Sequence, residues 1–149
     1  SVTDAMAQAF DEARAAAARG EVPVGAVVMR DGAVLARAGN RTLELKDPTA
    51  HAEMLVMRAG AKALDNERLI GATLYVSLEP CAMCAGAMAM ARVGRLVFAA
   101  CDPKGGAVLH GPRFFEQPTC HHRPAITQTE PHAVEAGEIL REFFRARRG

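Results

Sequence analysis

Hydrophobic positions recur along the chain at two periods. In residues 4–20 (DAMAQAFDEARAAAARG) they return at helical spacing and stop at Gly20, which predicts a first helix. Residues 22–40 hold two β-rich runs around Asp31-Gly32, the signal of a hairpin. The helical period returns in 51–64, gives way to a strand over 71–78, and resumes in 81–93. That third helix is so rich in Ala and Met that burial on most sides is expected. A buried strand over 95–100, a fifth strand over 125–130 and a final amphipathic helix over 132–148 complete the pattern. Between them, residues 101–124 are Gly- and Pro-rich, irregular, and too long to be a mere connector.

No repeat, linker or low-complexity tract interrupts this order, so the 149 residues are expected to form one domain over 1–149. Helix and hairpin followed by alternating helices and strands predict an α/β fold, with one mixed sheet and helices on its faces. The strand ending at Leu78 runs straight into Glu79-Pro80-Cys81, so the next helix starts at a strand's C-terminal end, where α/β folds tend to place their sites.

Charge excludes little. Lys+Arg minus Asp+Glu is 18 − 17 = +1, so binding to a polyanion needs a local basic patch rather than a global field. No apolar run approaches a membrane span and no charged-then-apolar leader is visible, which predicts no membrane partner and a cytoplasmic location. With no Trp and one Tyr, an aromatic platform for stacking RNA bases is disfavoured. Without a secretion signal, Cys81, Cys84, Cys101 and Cys120 are expected to be thiols or metal ligands rather than disulfides.

Cys81 and Cys84 stand at i and i+3 of a helix start and so share a face. Pro80 suits the first turn, and the positive helix end favours thiolate. Taken alone, the pair fits a metal site, a redox site or core packing. His51 alters that balance. Asp47 or Thr49 is expected to cap the helix over 51–64, which puts His51 in its opening turn. Two helix starts bringing one imidazole and two thiolates to a point suit Zn²⁺. Three protein ligands leave the fourth position open, as in catalytic zinc sites, and Glu53 then stands where a carboxylate can exchange protons with water. The competing reading makes Glu53 a helix-start acid and takes a fourth ligand from Cys101, Cys120, His121 or His122. "TCHH" (119–122) lacks the spacing of a second site, and nothing in the sequence assigns these four residues a role.

His-Ala-Glu, then twenty-six residues, then Pro-Cys-x-x-Cys is similar to the zinc nucleobase and nucleoside deaminases. "EVPVGAVV" (21–28), "GNR" (39–41), "DPTAHAE" (47–53), "ATLYVSLEPCAMCAGAM" (72–88) and "FFRARR" (143–148) extend the likeness over nearly the whole chain. Together they resemble the bacterial tRNA-specific adenosine deaminases of the cytidine/deoxycytidylate deaminase superfamily. The resemblance implies a three-layer, cytidine-deaminase-like fold around a central mixed five-stranded sheet. It implies hydrolytic conversion of adenosine to inosine at the wobble position of a tRNA, typically tRNA-Arg with an ACG anticodon. The partners implied are the anticodon stem-loop and a second copy of the chain in a homodimer.

His51, Cys81 and Cys84 would then hold one Zn²⁺ per subunit, while Glu53 would protonate the ring N1 and the departing amine. Asn40 would hydrogen-bond the purine, a role compatible with its place in a turn. In the last helix Phe144 (or Phe143) would meet an unstacked base, and Arg145 and Arg148, on one face, would meet phosphates. The same residues also suit core packing and helix-dipole compensation. Asp102 and Lys104 resemble the family's RNA-contacting loop, but Cys101 stands where relatives carry a basic residue. Two rival readings remain: a deaminase of free guanine, cytosine or a nucleoside with the same zinc site, and a zinc-stapled binding module without turnover.

Overall fold

The computed structural model describes residues 2–148. In chain order these form α1 (Val2–Ala18), β1 (Gly25–Arg30), β2 (Ala33–Gly39), α2 (Thr42–Leu45), α3 (Ala52–Leu64), β3 (Thr73–Leu78), α4 (Ala82–Ala91), β4 (Arg95–Ala100), a 3-10 turn (Phe114–Glu116), β5 (Ala125–Gln128) and α5 (Glu130–Arg148). The strands make one sheet in the order β2-β1-β3-β4-β5. β1 is antiparallel to both β2 and β3, while the β3–β4 and β4–β5 pairs are parallel. This is the mixed five-stranded sheet the sequence predicts.

Strand alternation divides the core into two layers. Ala26, Val28, Leu74, Val76, Leu96 and Phe98 point to one face, where they pack with Val56 of α3 and Met88 of α4. Their neighbours Val27, Tyr75, Val97 and Ala99 point to the other, against Met6 and Phe10 of α1 and Ile139 of α5. Central strands apolar on both sides are what a sheet covered on both faces requires. The result is three layers: α1 and α5, the sheet, then α3 and α4. Among the described residues, no helix is long and apolar enough to cross a membrane.

The hairpin turns at Asp31 and Gly32, with φ of 52° and 78°, the left-handed pair a two-residue turn demands. A register shift between Val28 and Met29 bulges the β1–β2 ladder. Gly25 and Gly39 are partners in that ladder, and α1 crosses directly over them. A Cβ on Gly25 would stand 1.9 Å from the Ala9 carbonyl oxygen, and one on Gly39 2.5 Å from that of Glu12. Ala5, Ala9, Ala13 and Ala16, all fully buried, give α1 the small face this approach needs.

Two features differ from expectation. The loop after β2 contains the short helix α2, too short to show a hydrophobic period. Buried Glu21 supports it by accepting the Leu43 and Glu44 N–H groups at 3.0 and 2.8 Å. Helix ends also shift by one or two residues, so that His51 and Cys81 fall just outside α3 and α4.

Gly25→Ala is expected to lower the unfolding free energy by about 2 kcal/mol or more, because helix backbone rather than a movable side chain fills the space. Gly137→Ala in α5, where the new Cβ meets only the Arg141 guanidinium, should raise it by about 0.5–1 kcal/mol. Urea unfolding followed by circular dichroism measures both, and a neutral Gly25→Ala would contradict the seating of α1 on β1.

Candidate metal centre

His51 is the N-cap residue of α3 and Cys81 that of α4, both with extended backbone (φ/ψ −72°/152° and −75°/175°). Neither uses its side chain as a cap. Both donors therefore belong to residues just outside the helices rather than to a helix face. Cys84, one turn into α4, is fully buried beside them. His51 Nδ1 lies 3.7 Å from Cys81 Sγ and 3.6 Å from Cys84 Sγ. A tetrahedral ion with Zn–S of about 2.3 Å and Zn–N of about 2.0–2.1 Å would separate N and S by about 3.6 Å. The three donors fit zinc.

The position of His51 is set from a distance. Asn40, at the end of β2, accepts the Ala52 N–H on its Oδ1 at 2.8 Å and so caps the first turn of α3. This corrects the expectation that Asp47 or Thr49 caps the helix. The Asp47 carboxylate instead closes a local turn on Thr49, accepting from its N–H at 2.9 Å and its hydroxyl at 2.7 Å. Pro80 likewise precedes the N-cap of α4 rather than opening its first turn, and its carbonyl accepts the Ala107 N–H.

Glu53 lies in the first turn of α3 and is buried. Burial pushes its carboxyl up to about 7, opposed in part by its own N–H and by His51. Within the cysteine pair, Cys84 hydrogen-bonds Cys81 and helps pull it down to about 4, with the His51 hydrogen bond adding to the effect. Cys84 is raised in return, by Cys81 first and by burial. The His51 imidazole is raised chiefly by its hydrogen bond to Cys81. The pair thus keeps a proton on Cys84, which a metal bound by both sulfurs would displace.

None of the candidate fourth ligands joins the cluster among the described residues. Cys120 Sγ donates to the His122 carbonyl at 3.1 Å, and His122 Nε2 donates to that of Val93 at 2.7 Å. His121 is exposed. Cys101 stands near Glu79 and His110, with ligand atoms within 4.8 Å of one another. That group is not a vacant metal site, because Glu79 is committed elsewhere. Its Oε1 accepts the Asp102 N–H (3.0 Å) and His110 Nδ1 (2.7 Å), and its Oε2 accepts the N–H groups of Val108, Leu109 and His110 (3.1, 2.9 and 3.1 Å). Burial would raise the Glu79 carboxyl, but these donors together hold it below the usual range. Reading the sequence left Glu79 without a role. A lone acid closing an apolar strand is its only signal there.

The remaining candidates divide by location. Asp102 begins the loop after β4, its Oδ1 accepting the N–H groups of Lys104 and Gly105 (3.2 and 2.9 Å). Phe144 and Arg145 lie on α5, across the sheet from the cluster, where they line a groove with Leu140 and Arg141. Phe144 is 45% exposed, whereas Phe143 carries the Arg147 guanidinium 4.4 Å above its ring. The Arg148 side chain lies outside the described residues.

Residues 1–148 match the profile of the MafB19-like deaminase family. A tRNA-specific adenosine deaminase of Agrobacterium fabrum is 57% identical over 98% of this chain and 95% of its own length. One from Bacillus subtilis is 44% identical over 94% and 86%. A solved structure from work on A-to-I editing by tRNA:A34 deaminases superposes with a TM-score of 0.90 at 56% identity, covering 93% of this chain and 99% of its own. A guanine deaminase from Nitrosomonas europaea has the same architecture at 26% identity and a TM-score of 0.77, covering 93% and 82%.

Zinc added to the purified chain is expected to bind at about one ion per chain, with loss of binding in Cys84→Ser and retention in Cys120→Ala. Elemental analysis after gel filtration measures this. Loss of the ion in Cys120→Ala would contradict a three-donor cluster.

Proposed function

The chain belongs to the MafB19-like deaminase family, and we propose that it is a tRNA adenosine deaminase that hydrolyses adenosine 34 to inosine, releasing ammonia. The observation that carries this reading is a buried carboxyl, Glu53 in the first turn of α3, beside a His-Cys-Cys cluster with zinc-fitting separations. The named relatives support the choice of substrate. Residues 1–149 act as one catalytic domain, located in the cytoplasm, with tRNA-Arg bearing an ACG anticodon as the substrate.

His51, Cys81 and Cys84 would hold one zinc per subunit, which would supply a Lewis acid that brings the pKa of water to about 7. Glu53 takes one proton of the attacking water as its oxygen bonds to the purine C6 and passes it to N1; it then carries the remaining hydroxyl proton to the amine as the C6–N bond breaks and ammonia leaves. Burial raises this carboxyl from its ordinary value, which favours a group that both takes up and gives back a proton. Asn40 orients the base. Its oxygen is already committed to Ala52, so it offers the amide N–H, a match for the purine N7 acceptor. The anticodon stem-loop presents the base unpaired, which keeps the cost of extrusion small. Asp102 stands on the same side of the molecule, at the end of β4. Phe144 and Arg145 engage a more distant part of the RNA, by stacking and by phosphate contact, from the other side of the sheet.

A second copy completes the assembly. Met90 of α4 is 81% exposed on a helix otherwise made of Ala, Met, Gly and Cys, and it borders an apolar groove with Met54, Met57, Ala61 and Ala87. We assign this face to a homodimer interface. Met90→Glu is expected to convert the dimer to monomer by analytical ultracentrifugation, and an unchanged sedimentation coefficient would place the interface elsewhere.

The direct test incubates the zinc-loaded chain with an ACG-anticodon tRNA transcript and, separately, with guanine, adenosine and cytidine. Inosine at position 34, lost by about 10²–10⁴-fold in Glu53→Gln, is the expected result. Ammonia from free bases alone would replace this reading with a small-molecule deaminase. Full activity in Glu53→Gln would remove its proton-carrying role.

A further inference from the structure

Five hydrogen bonds converge on Glu79, four from backbone and one from a side chain. Its side chain is fully buried, and the N–H groups of Asp102, Val108, Leu109 and His110 already address both carboxylate oxygens, which offer about four lone-pair sites. The His110 imidazole at 2.7 Å is the second donor to Oε1, which takes only the Asp102 N–H from the backbone. The same bond also acts on the imidazole. A carboxylate that only accepts requires the proton on Nδ1, and in the neutral ring Nε2 then carries the free lone pair. The side chain is 35% exposed, so part of it is within reach of a ligand.

The loop that carries this ring is built around the carboxylate. A Cβ on Gly106 would stand 2.5 Å from the Glu79 carboxyl carbon, so the chain passes there only as glycine. The Ala107 N–H binds the Pro80 carbonyl, one residue before Cys81. Leu78 and Ala100 are paired in the parallel β3–β4 ladder, so the segments leaving the two strands emerge side by side. One of them leads to the metal cluster and the other to His110.

Resting on the tRNA reading above, we propose that His110 is an RNA-binding residue, oriented by Glu79 to accept a hydrogen bond on Nε2 from the anticodon loop. The chemistry it recognises is a donor, either a ribose 2′-hydroxyl or a base N–H. It does not recognise a phosphate, which has no proton to give. Glu79 is the positioning residue and acts only through the ring.

The test measures kcat and KM for an anticodon stem-loop containing A34. His110→Ala is expected to raise KM about tenfold, the worth of one hydrogen bond, with kcat and zinc content unchanged. His110→Gln can donate to Glu79 and still present an acceptor, and should recover most of the loss. Stem-loops with single 2′-deoxy residues, or with single bases lacking an exocyclic amine, identify the donor. The responsible change weakens the wild-type chain but adds nothing in His110→Ala. An unchanged KM in His110→Ala would overturn the proposal, as would a fall in kcat alone. If the wild-type chain forms no inosine in any tRNA, the tRNA reading falls and this contact with it. Wild-type activity with an indifferent His110→Ala removes the contact alone.

Discussion

The points at which α3 and α4 begin constrain everything else in the site. A helix start leaves backbone N–H groups unpaired and carries a partial positive charge, so it needs an acceptor and favours anions nearby. In α3 the acceptor comes from Asn40, which fixes Ala52 as the first helical residue and His51 as the one just outside it. In α4 Cys81 occupies the equivalent place, with its thiol pulled toward thiolate by Cys84 and His51. Two such ends, facing each other across one layer of the fold, bring an imidazole and two sulfurs to metal-ligand separation. Glu53 follows from the same constraint. Two residues beyond the N-cap it is already inside the helix and buried, next to the three donors but outside their group.

Around this pair of ends, buried polar groups hold the irregular backbone that the helices and strands cannot. Glu21 accepts the N–H groups at the start of α2, Asn40 that of Ala52, and Glu79 four from the loop after β4. All three are nearly inaccessible to solvent. Burying a carboxylate is costly unless its lone pairs are filled, and here loop backbone fills them. The arrangement makes loop shape depend on single side chains.

What the sequence discloses divides along the same line. The sheet strands were legible because central strands covered on both faces are short, continuous apolar runs, and Asp31-Gly32 announces its turn by the φ it must adopt. The cysteine pair and His51 were legible because ligand chemistry restricts residue type and spacing. The cap of α3 was not, since Asn40 stands twelve positions upstream and local reasoning turned to Asp47 and Thr49. α2 and the loop around Glu79 escaped for a related reason. They are held by long-range hydrogen bonds to single carboxylates, and such bonds leave no periodicity.

The His51, Cys81 and Cys84 cluster would hold an ion by two sulfurs and one nitrogen, with a fourth position left to solvent or substrate. Zinc K-edge X-ray absorption on the metal-loaded chain tests it most directly. Two sulfur scatterers at about 2.3 Å and two nitrogen or oxygen scatterers at about 2.0–2.2 Å are expected. Three or four sulfurs would show that Cys101 or Cys120 closes the site, and would contradict an open catalytic centre at the meeting of the two helix ends.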